Sequence, residues 1–322
     1  MPSTDQKIAF GVIADVHFSL NPPIFRSKEE NWLKAQTQAI NQVISICNHY
    51  KCPLVIAGDL FHKWDEKPEA ISQLMEILHS QFRYKVFTIA GNHDVPNHSL
   101  SLIKKTAYYV LQSSGVIIDL WDDYIAGHAR FEDTTGWICG SFPIGKSFRV
   151  PEYKTKPSNK KHIAIIHDYC WIDGMGFPGA PKDKYYKEYL KRNNNYYDVL
   201  CFGDNHKGFI IHDDKTKLVN CGGLTIRNSD ERKRKPFMVL VNQSGKIHKQ
   251  ELDTSTDIYD EELIQDAKNY GVDENMASQI LDAASKLGET FTDFRQVVQS
   301  LVKTNAVKDA IKDVIKNWLN IA

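Results

Sequence analysis

Short runs of apolar, largely β-branched residues recur along this chain, and each run stops at a glycine or at a polar cluster. Three runs lie in the first hundred residues, and two lie further on. They cover residues 7–14, 54–57, 86–90, 162–166 and 198–202. Uninterrupted apolar runs of this length, bounded by glycine, are typical of strands buried on both faces. The pattern therefore predicts a sheet at the centre of the fold.

Helical patterns separate the early strands. Residues 27–50 begin with Ser27 followed by Glu30, which is the spacing of a capping box. Residues 69–82 follow Pro68, and proline is favoured at the first helical position. Residues 100–112 show a third helical pattern. Strands alternating with helices predict an α/β layered fold that binds ligands at the carboxyl ends of its strands.

Beyond residue 119 the predicted strands become shorter, and from about residue 258 the pattern is helical. The later strands are predicted at residues 124–129, 136–139, 217–219, 237–242 and 247–251. We expect a core domain over residues 1–250 and a small helical C-terminal region over 251–322. Residues 257–322 carry 12 acidic and 7 basic side chains, and the preceding residues carry 28 and 33. The positive balance of the core favours an anionic substrate.

Composition bears on where such a chain works. No run of 18 uncharged apolar residues occurs, and the start, MPSTDQK, lacks an apolar segment. We therefore expect neither a membrane span nor a secretory signal. The six cysteines are scattered without a CxxC pair, which predicts reduced thiols and a cytoplasmic protein.

Polar side chains follow all five predicted strands. The set is Asp15, His17, Asp59, Asn92, His167, Asp204 and His206. Each alone could be a turn residue. Together they would crowd carboxylates and imidazoles at one edge, which requires cations to neutralise them. Nitrogen and oxygen ligands without a thiolate favour two divalent ions such as manganese, iron or zinc.

The order of these motifs, DxH, GD, GNHD, H and GxxH, resembles the calcineurin-like metallophosphoesterase superfamily over residues 15–206. Within it, the stretch GDLFHKWDEKPEA together with GNHD is similar to the branch of SbcD-type and meiotic-recombination-type DNA repair nucleases. The resemblance implies a layered β-sandwich flanked by helices. It also implies two divalent ions, with manganese expected first and magnesium second.

The resemblance assigns roles to individual residues. Asp15, His17 and His206 would hold one ion, Asn92, His167 and Asp204 the second, and Asp59 would bridge them. His93 would assist departure of the 3′ oxygen, Asp94 would orient His93, and His62 would lie beside the phosphate. His62 could instead cap its loop.

Asp204 departs from the family pattern. It stands where the family usually has histidine, and a carboxylate there favours manganese or magnesium. A weakened second site is the alternative.

Two basic segments favour DNA as substrate. The first is an aromatic and basic insertion at residues 169–197, and the second is the stretch RNSDERKRKP. The candidate contacts are Lys182, Lys184, Tyr185, Arg232, Lys233 and Arg234. Such residues suit base stacking and phosphate contact. Core packing of the aromatic residues and a solvated hairpin are the alternatives.

The expected function is that of a DNA nuclease subunit, a 3′-to-5′ exonuclease that also cleaves single strands or hairpins. The resemblance implies a homodimer and an SbcC-like coiled-coil ATPase partner, bound through the C-terminal helices. By the same resemblance, ATP hydrolysis would belong to that partner. One alternative is a phosphomonoesterase or small-molecule phosphodiesterase with the same site. A non-catalytic scaffold is another, although it would not need His93.

Overall fold

The computed structural model describes residues 7–121, 131–151, 159–176, 179–262 and 265. The predicted strand at 124–129 and most of the predicted C-terminal helices lie outside these residues. The chain divides into two compact units. The first comprises Met1–Leu20, Gln36–Thr225 and Lys235–Thr254, and the second comprises Asn21–Ala35, Ile226–Arg234 and Ser255–Ala322. The boundary expected at residue 250 stays a prediction.

A six-stranded sheet forms one layer of the first unit. In sheet order its strands are β11 (Ile247–Glu251), β10 (Phe237–Asn242), β1 (Ile8–Ile13), β2 (Leu54–Ile56), β3 (Val86–Thr88) and β4 (Ile118–Asp119). Strands β1 to β4 pair in parallel, whereas β10 and β11 pair antiparallel. The early β-branched runs therefore lie side by side and end at one edge.

A five-stranded sheet forms the other layer. Its order is β5 (Ile138–Phe142), β6 (His162–His167), β7 (Val199–Gly203), β9 (Lys217–Asn220) and β8 (Phe209–His212). Only β8 is antiparallel to its neighbour. The sequence pattern missed β4 and β8, which lie at sheet edges.

The main core contains side chains from both sheets. Phe10 and Val12 of β1 share one buried apolar cluster with Ile163 and Ile165 of β6. Alternate residues of β6, namely Ala164 and Ile166, belong to a second cluster on the other face of that sheet. Both faces of the strand are thus buried, as its uninterrupted apolar run predicts. The expected layered α/β β-sandwich is confirmed.

Helices α1 (Trp32–Tyr50), α2 (Pro68–Gln81), α3 (Ala107–Ser113) and α4 (Tyr186–Asn193) connect the strands. Pro68 begins α2, as predicted. The capping box predicted at Ser27 is wrong, because Asn31 Oδ1 accepts the N–H of Lys34 at 2.9 Å and caps α1. The hydroxyl of Ser27 donates to Asp260 at 2.7 Å instead.

The third predicted helix is divided. Leu100–Lys105 is a 3₁₀ segment, and α3 begins only after Thr106, whose side chain accepts the N–H of Tyr109. A threonine that caps from within an apolar pattern ends one segment and begins the next. No helix among the described residues is long and apolar enough to cross a membrane.

The second unit contains a fully buried arginine. Arg26 pairs with Glu29 at 2.7 Å and with Asp257 at 3.0 Å. Its guanidinium lies 5.2 Å from the ring of Trp32 and 5.0 Å from that of Tyr259. A buried charge is tolerated when it is paired and hydrogen-bonded in this way.

Candidate dinuclear metal centre

The predicted ligands follow the carboxyl ends of five strands. Asp15 and His17 follow β1, Asp59 follows β2, Asn92 follows β3, His167 ends β6, and Asp204 and His206 follow β7. Strands β1, β2 and β3 are parallel neighbours in one sheet, and β6 and β7 are parallel neighbours in the other. Their ends bring ligands from both sheets together.

The backbone around these ligands is unusual. Asp15, His17 and Asp59 adopt left-handed conformations with φ of 47°, 48° and 51°. Their peptide groups interlock, because Asp15 donates its N–H to Gly58 and His17 donates its N–H to Asp59. Non-glycine residues rarely adopt this region, and such strain concentrates at functional sites.

One ligand group consists of Asp15, His17 and His206. One potential ligand atom from each lies within 4.8 Å of the others. Nε2 of His17 lies 2.9 Å from Nε2 of His206. The buried Oδ2 of Asp15 has no hydrogen-bond partner among the described residues. A divalent cation would satisfy this oxygen and accept both imidazoles.

A second group forms around His167. Its Nδ1–H donates to the carbonyl oxygen of Ala57 at 2.8 Å, which directs Nε2 toward the site. Nε2 lies 2.8 Å from Oδ1 of Asn92. An imidazole nitrogen and an amide oxygen this close are suitable ligands for one cation, and His167 also groups with Asp15 and Asp59.

Asp59 lies between the two groups. Its Oδ2 is 3.5 Å from Nε2 of His17, and its Oδ1 is 3.4 Å from Nε2 of His167. The two oxygens of one carboxylate thus face ligands of different groups. This is the arrangement that a carboxylate bridging two ions requires, so the residues fit a dinuclear centre.

Charge in the site is balanced internally. Burial raises the pKa of the Asp15 carboxyl to about 7. Burial would also raise the pKa of Asp59, but His167 and His93 together lower it to about 2. Burial would lower the pKa of His167, but the carboxylates of Asp59, Asp204 and Asp15 outweigh it and raise the pKa well above the usual value. A bound cation would therefore replace protons at Asp15 and His167.

Asp204 lies at the edge of the centre. Its backbone N–H donates to Oδ1 of Asp15 at 2.9 Å. Burial raises the pKa of its carboxyl, while His167 and His206 act in the opposite direction. Its side chain belongs to none of the ligand groups found among the described residues. Direct ligation by Asp204 stays a prediction.

Two further imidazoles adjoin the first ligand group. The rings of His62 and His93 stack at 5.4 Å with 20° between their planes. The ring of His93 lies 4.7 Å from that of His17. The Nδ1–H of His93 donates to the carbonyl oxygen of His62 at 2.7 Å, so Nε2 is the nitrogen available to a substrate.

The orienting role expected for Asp94 is corrected by these contacts. The carbonyl oxygen of His62 orients the ring of His93, whereas the buried Asp94 carboxylate accepts three backbone N–H groups. They belong to Leu60, Phe61 and Gly91, at 3.2, 3.0 and 2.9 Å. Asp94 thus joins the loop that carries Asp59 and His62 to the loop that carries Asn92 and His93.

Several positioning groups were missed from the sequence. A Cβ at Gly91 would collide with Oδ1 of Asp59, and a Cβ at Gly58 would collide with the His167 ring. The carbonyl oxygens of Ala57 and His62 orient His167 and His93. Backbone carbonyls carry no signal in the sequence, although the glycines before Asp59 and Asn92 do.

Some of the candidate DNA contacts have partners within the protein. Lys184 pairs with Asp168 at 2.5 Å, and the hydroxyl of Tyr185 donates to Asp173 at 2.8 Å. Lys182 is exposed. In the second unit, Arg232 pairs with Glu261, Arg234 pairs with Glu231, and Lys233 is exposed.

Known proteins resemble this chain at several levels. The model of the calcineurin-like phosphoesterase superfamily domain matches residues 8–245. The DNA double-strand break repair protein Mre11 of Archaeoglobus fulgidus is 32% identical over 111 residues, which are 34% of this chain and 23% of that protein. The match therefore spans less than a quarter of that relative.

Two solved structures are similar at low sequence identity. A hypothetical protein from Pyrococcus horikoshii OT3 matches with a TM-score of 0.37 and 16% identity, over 84% of this chain and 96% of its own. A dimetal phosphatase from Danio rerio matches with a TM-score of 0.42 and 10% identity, over 77% and 99%. Neither likeness bears on what this chain hydrolyses.

The family match covers most of the chain. The ligand groups are formed by residues of the superfamily motifs, at the carboxyl ends of the strands. The chain belongs to the calcineurin-like phosphoesterase superfamily, whose members hydrolyse phosphoester bonds with divalent metal ions.

Proposed function

We propose that the chain is a metal-dependent DNA nuclease subunit, a 3′-to-5′ exonuclease that also cleaves single strands or hairpins. The observation that carries the proposal is the stacked pair His62 and His93 beside the ligand group of His17. The match to Mre11, a protein named for DNA double-strand break repair, supports DNA as the substrate.

The residues divide into those that hold ions and those that move a proton. Asp15, His17 and His206 would hold one ion, Asn92 and His167 the other, with Asp59 between them. Two such ions supply a hydroxide at neutral pH and neutralise charge on the phosphate. His93 then donates a proton from Nε2 to the departing 3′ oxygen, while its Nδ1–H stays bonded to the carbonyl oxygen of His62.

Manganese is the proposed metal, with magnesium as the second candidate. Asp204 stands at the position where the family usually has histidine, and its backbone N–H donates to Oδ1 of Asp15. An added carboxylate makes the site harder and more anionic, which favours manganese or magnesium.

The insertion after β6 supplies cations for the phosphate backbone. It is preceded by Asp168, which follows His167 and accepts hydrogen bonds from Lys184 and from the hydroxyl of Tyr189. Lys182 and Lys191 are exposed and form no ion pair among the described residues. Lysines in such positions suit sequence-independent phosphate contact.

The proposed assembly rests on the sequence. We infer a homodimer and a coiled-coil ATPase partner held by the C-terminal helices. Val307, Ile311, Val314 and Trp318 recur there at helical spacing, in a segment outside the described residues.

Cleavage assays with the purified chain test the proposal. End-labelled duplex, single-stranded and hairpin DNA are incubated with manganese, magnesium or a chelator, beside bis(p-nitrophenyl) phosphate and p-nitrophenyl phosphate. Metal-dependent release of nucleotides supports the nuclease. The proposal is overturned in favour of a small-molecule phosphoesterase if the chain hydrolyses the aryl esters rapidly but leaves DNA intact, both by itself and after a coiled-coil ATPase is added.

A further inference from the structure

An exposed tryptophan follows the imidazole pair in sequence. Trp64 is 37% exposed, and Val110 and Ile258 are the other large apolar side chains found exposed in the described part of the chain. A single exposed apolar residue means little by itself. Trp64 differs from Val110 and Ile258 because it lies on the loop that carries His62 and has charged neighbours in the sequence.

The backbone before and after Trp64 is fixed by hydrogen bonds. Phe18 donates its N–H to Leu60 at 3.0 Å, and His62 donates its N–H to Phe18 at 3.1 Å. The carbonyl oxygen of Trp64 accepts the N–H of Ala107, at the start of α3, at 2.8 Å. The indole is therefore presented to solvent by an ordered loop, so little backbone entropy is lost when it binds a ligand.

The same loop places Trp64 close to the chemistry. It follows His62 by two residues, so their Cα atoms lie within about 7 Å. The ring of His62 stacks on His93, the proposed proton donor. An aromatic surface at this place is within reach of the nucleotide whose phosphodiester is being cleaved.

Charged residues adjoin Trp64 in the sequence: Lys63 precedes it, and Asp65, Glu66 and Lys67 follow it. Lys63 and Lys67 are exposed, and neither forms an ion pair among the residues that the structure describes. A cation beside an aromatic ring suits a ligand that joins a phosphate to a flat base. Base stacking on such a ring tolerates any sequence, because every base has a π face.

We infer that Trp64 is a stacking residue for the nucleobase next to the scissile phosphodiester. The inference rests on the proposed nuclease function and names a subsite for its substrate. It assigns base recognition to the loop of the bridging carboxylate.

Binding measurements test the inference without relying on turnover. The affinity for a labelled single-stranded oligonucleotide is measured in manganese by fluorescence anisotropy, in the His93→Ala background, where cleavage is expected to be slow. Trp64→Ala should raise Kd about 10-fold. Trp64→Leu should raise Kd equally, because it keeps apolar area but removes the π face, and Trp64→Phe should raise it less. Val110→Ala, which removes exposed apolar atoms from α3, is the matched control and should leave Kd unchanged.

An abasic substrate identifies the base as the ligand. In the otherwise native chain, an abasic residue beside the scissile bond should slow cleavage about 10-fold, and this ratio should fall toward one in Trp64→Leu. Unchanged Kd and an unchanged ratio in the Trp64 variants, with DNA still cleaved, would overturn this inference alone. Absence of DNA binding and cleavage, with aryl esters still hydrolysed, would overturn the proposed function and this subsite with it.

Discussion

Asp59 determines the geometry of the candidate metal centre. Its oxygens lie 3.5 Å from Nε2 of His17 and 3.4 Å from Nε2 of His167, and its Oδ1 also accepts the N–H of His93. One side chain thus relates both ligand groups to the proposed proton donor. Small displacements of this carboxylate should disturb metal binding and catalysis together.

Gly91→Ala tests this dependence on Asp59. The new Cβ would collide with Oδ1 and the backbone nitrogen of Asp59, and backbone atoms cannot move aside cheaply. We expect manganese affinity to fall about 10- to 100-fold, the range typical when a group supporting a metal ligand is disturbed. Calorimetric titration with manganese measures the change.

Gly115→Asn is the matched control. Its Cβ would meet nothing within 4 Å, and asparagine tolerates the positive φ of 78° at that position. If Gly91→Ala bound manganese as tightly as Gly115→Asn does, the position of Asp59 would not determine metal affinity.

The loops after β2 and β3 act as one element because Asp94 joins them. Its carboxylate accepts N–H groups from Leu60, Phe61 and Gly91. Burial raises the pKa of this carboxyl to about 7, because ionising it requires desolvation of the charge. The three backbone N–H groups favour the ionised form and oppose this shift. The pairing of the two loops should therefore be sensitive to the chemistry of this side chain.

Asp94→Asn should destabilise the protein by about 1–3 kcal/mol, because an amide NH₂ would oppose backbone N–H donors. Manganese affinity should fall as well, since the loops carry Asp59 and Asn92. Urea unfolding and metal titration check both effects.

Asp198→Asn is the comparison for that change. Asp198 accepts the N–H of His162 at the amino end of β6, away from the ligands. Stability should fall there without loss of manganese affinity. An Asp94→Asn variant that kept full manganese affinity would contradict the role given to Asp94.

The sequence predicted the elements that local pattern determines. Pro68 begins α2, and the five β-branched runs became strands whose ends carry the predicted ligands. Ser27 failed as a cap because its hydroxyl bonds to Asp260, 233 residues away, and no local pattern reveals that partner. Asp94 was given a role by analogy, yet two of the backbone N–H groups that donate to it lie on a loop 33 and 34 residues earlier.

Metal binding, folding and pH are linked across the protein. Burial raises the pKa of both Asp15 and Asp94 to about 7, from an ordinary value of 3.8. Because the folded-state pKa of each carboxyl lies above its unfolded value of 3.8, protonation stabilises the fold fully below about pH 3.8. This stabilisation is lost as the pH rises through about 7. Metal binding requires Asp15 to lose its proton, so the metal-bound protein has the opposite dependence.

Thermal unfolding between pH 5 and 8 tests this linkage. In a chelator, Tm should fall as pH rises, and saturating manganese should raise Tm by a larger amount at pH 8 than at pH 5.5. Asp15→Asn should reduce the pH dependence measured in the chelator. An equal manganese shift at both pH values would contradict proton release from the buried carboxyl.

The division into two units could not be predicted from the sequence. The second unit combines three segments that are distant along the chain, and Arg26 pairs there with Asp257. Local period and capping signals cannot reveal such pairings. The ligand set was accessible because parallel strands must end at the same edge, whatever their order.

The most direct test is to compare DNA cleavage and metal content in the native chain and in His93→Ala. Both proteins should bind two manganese ions, because Asp15, His17 and His206 on one side of Asp59, and Asn92 and His167 on the other, can each hold an ion without His93. The native chain should release nucleotides from end-labelled DNA, and the variant should do so about 100- to 10,000-fold more slowly, the usual contribution of a general acid. Equal cleavage by both proteins, or loss of an ion from the variant, would contradict a two-ion centre with a separate histidine acid.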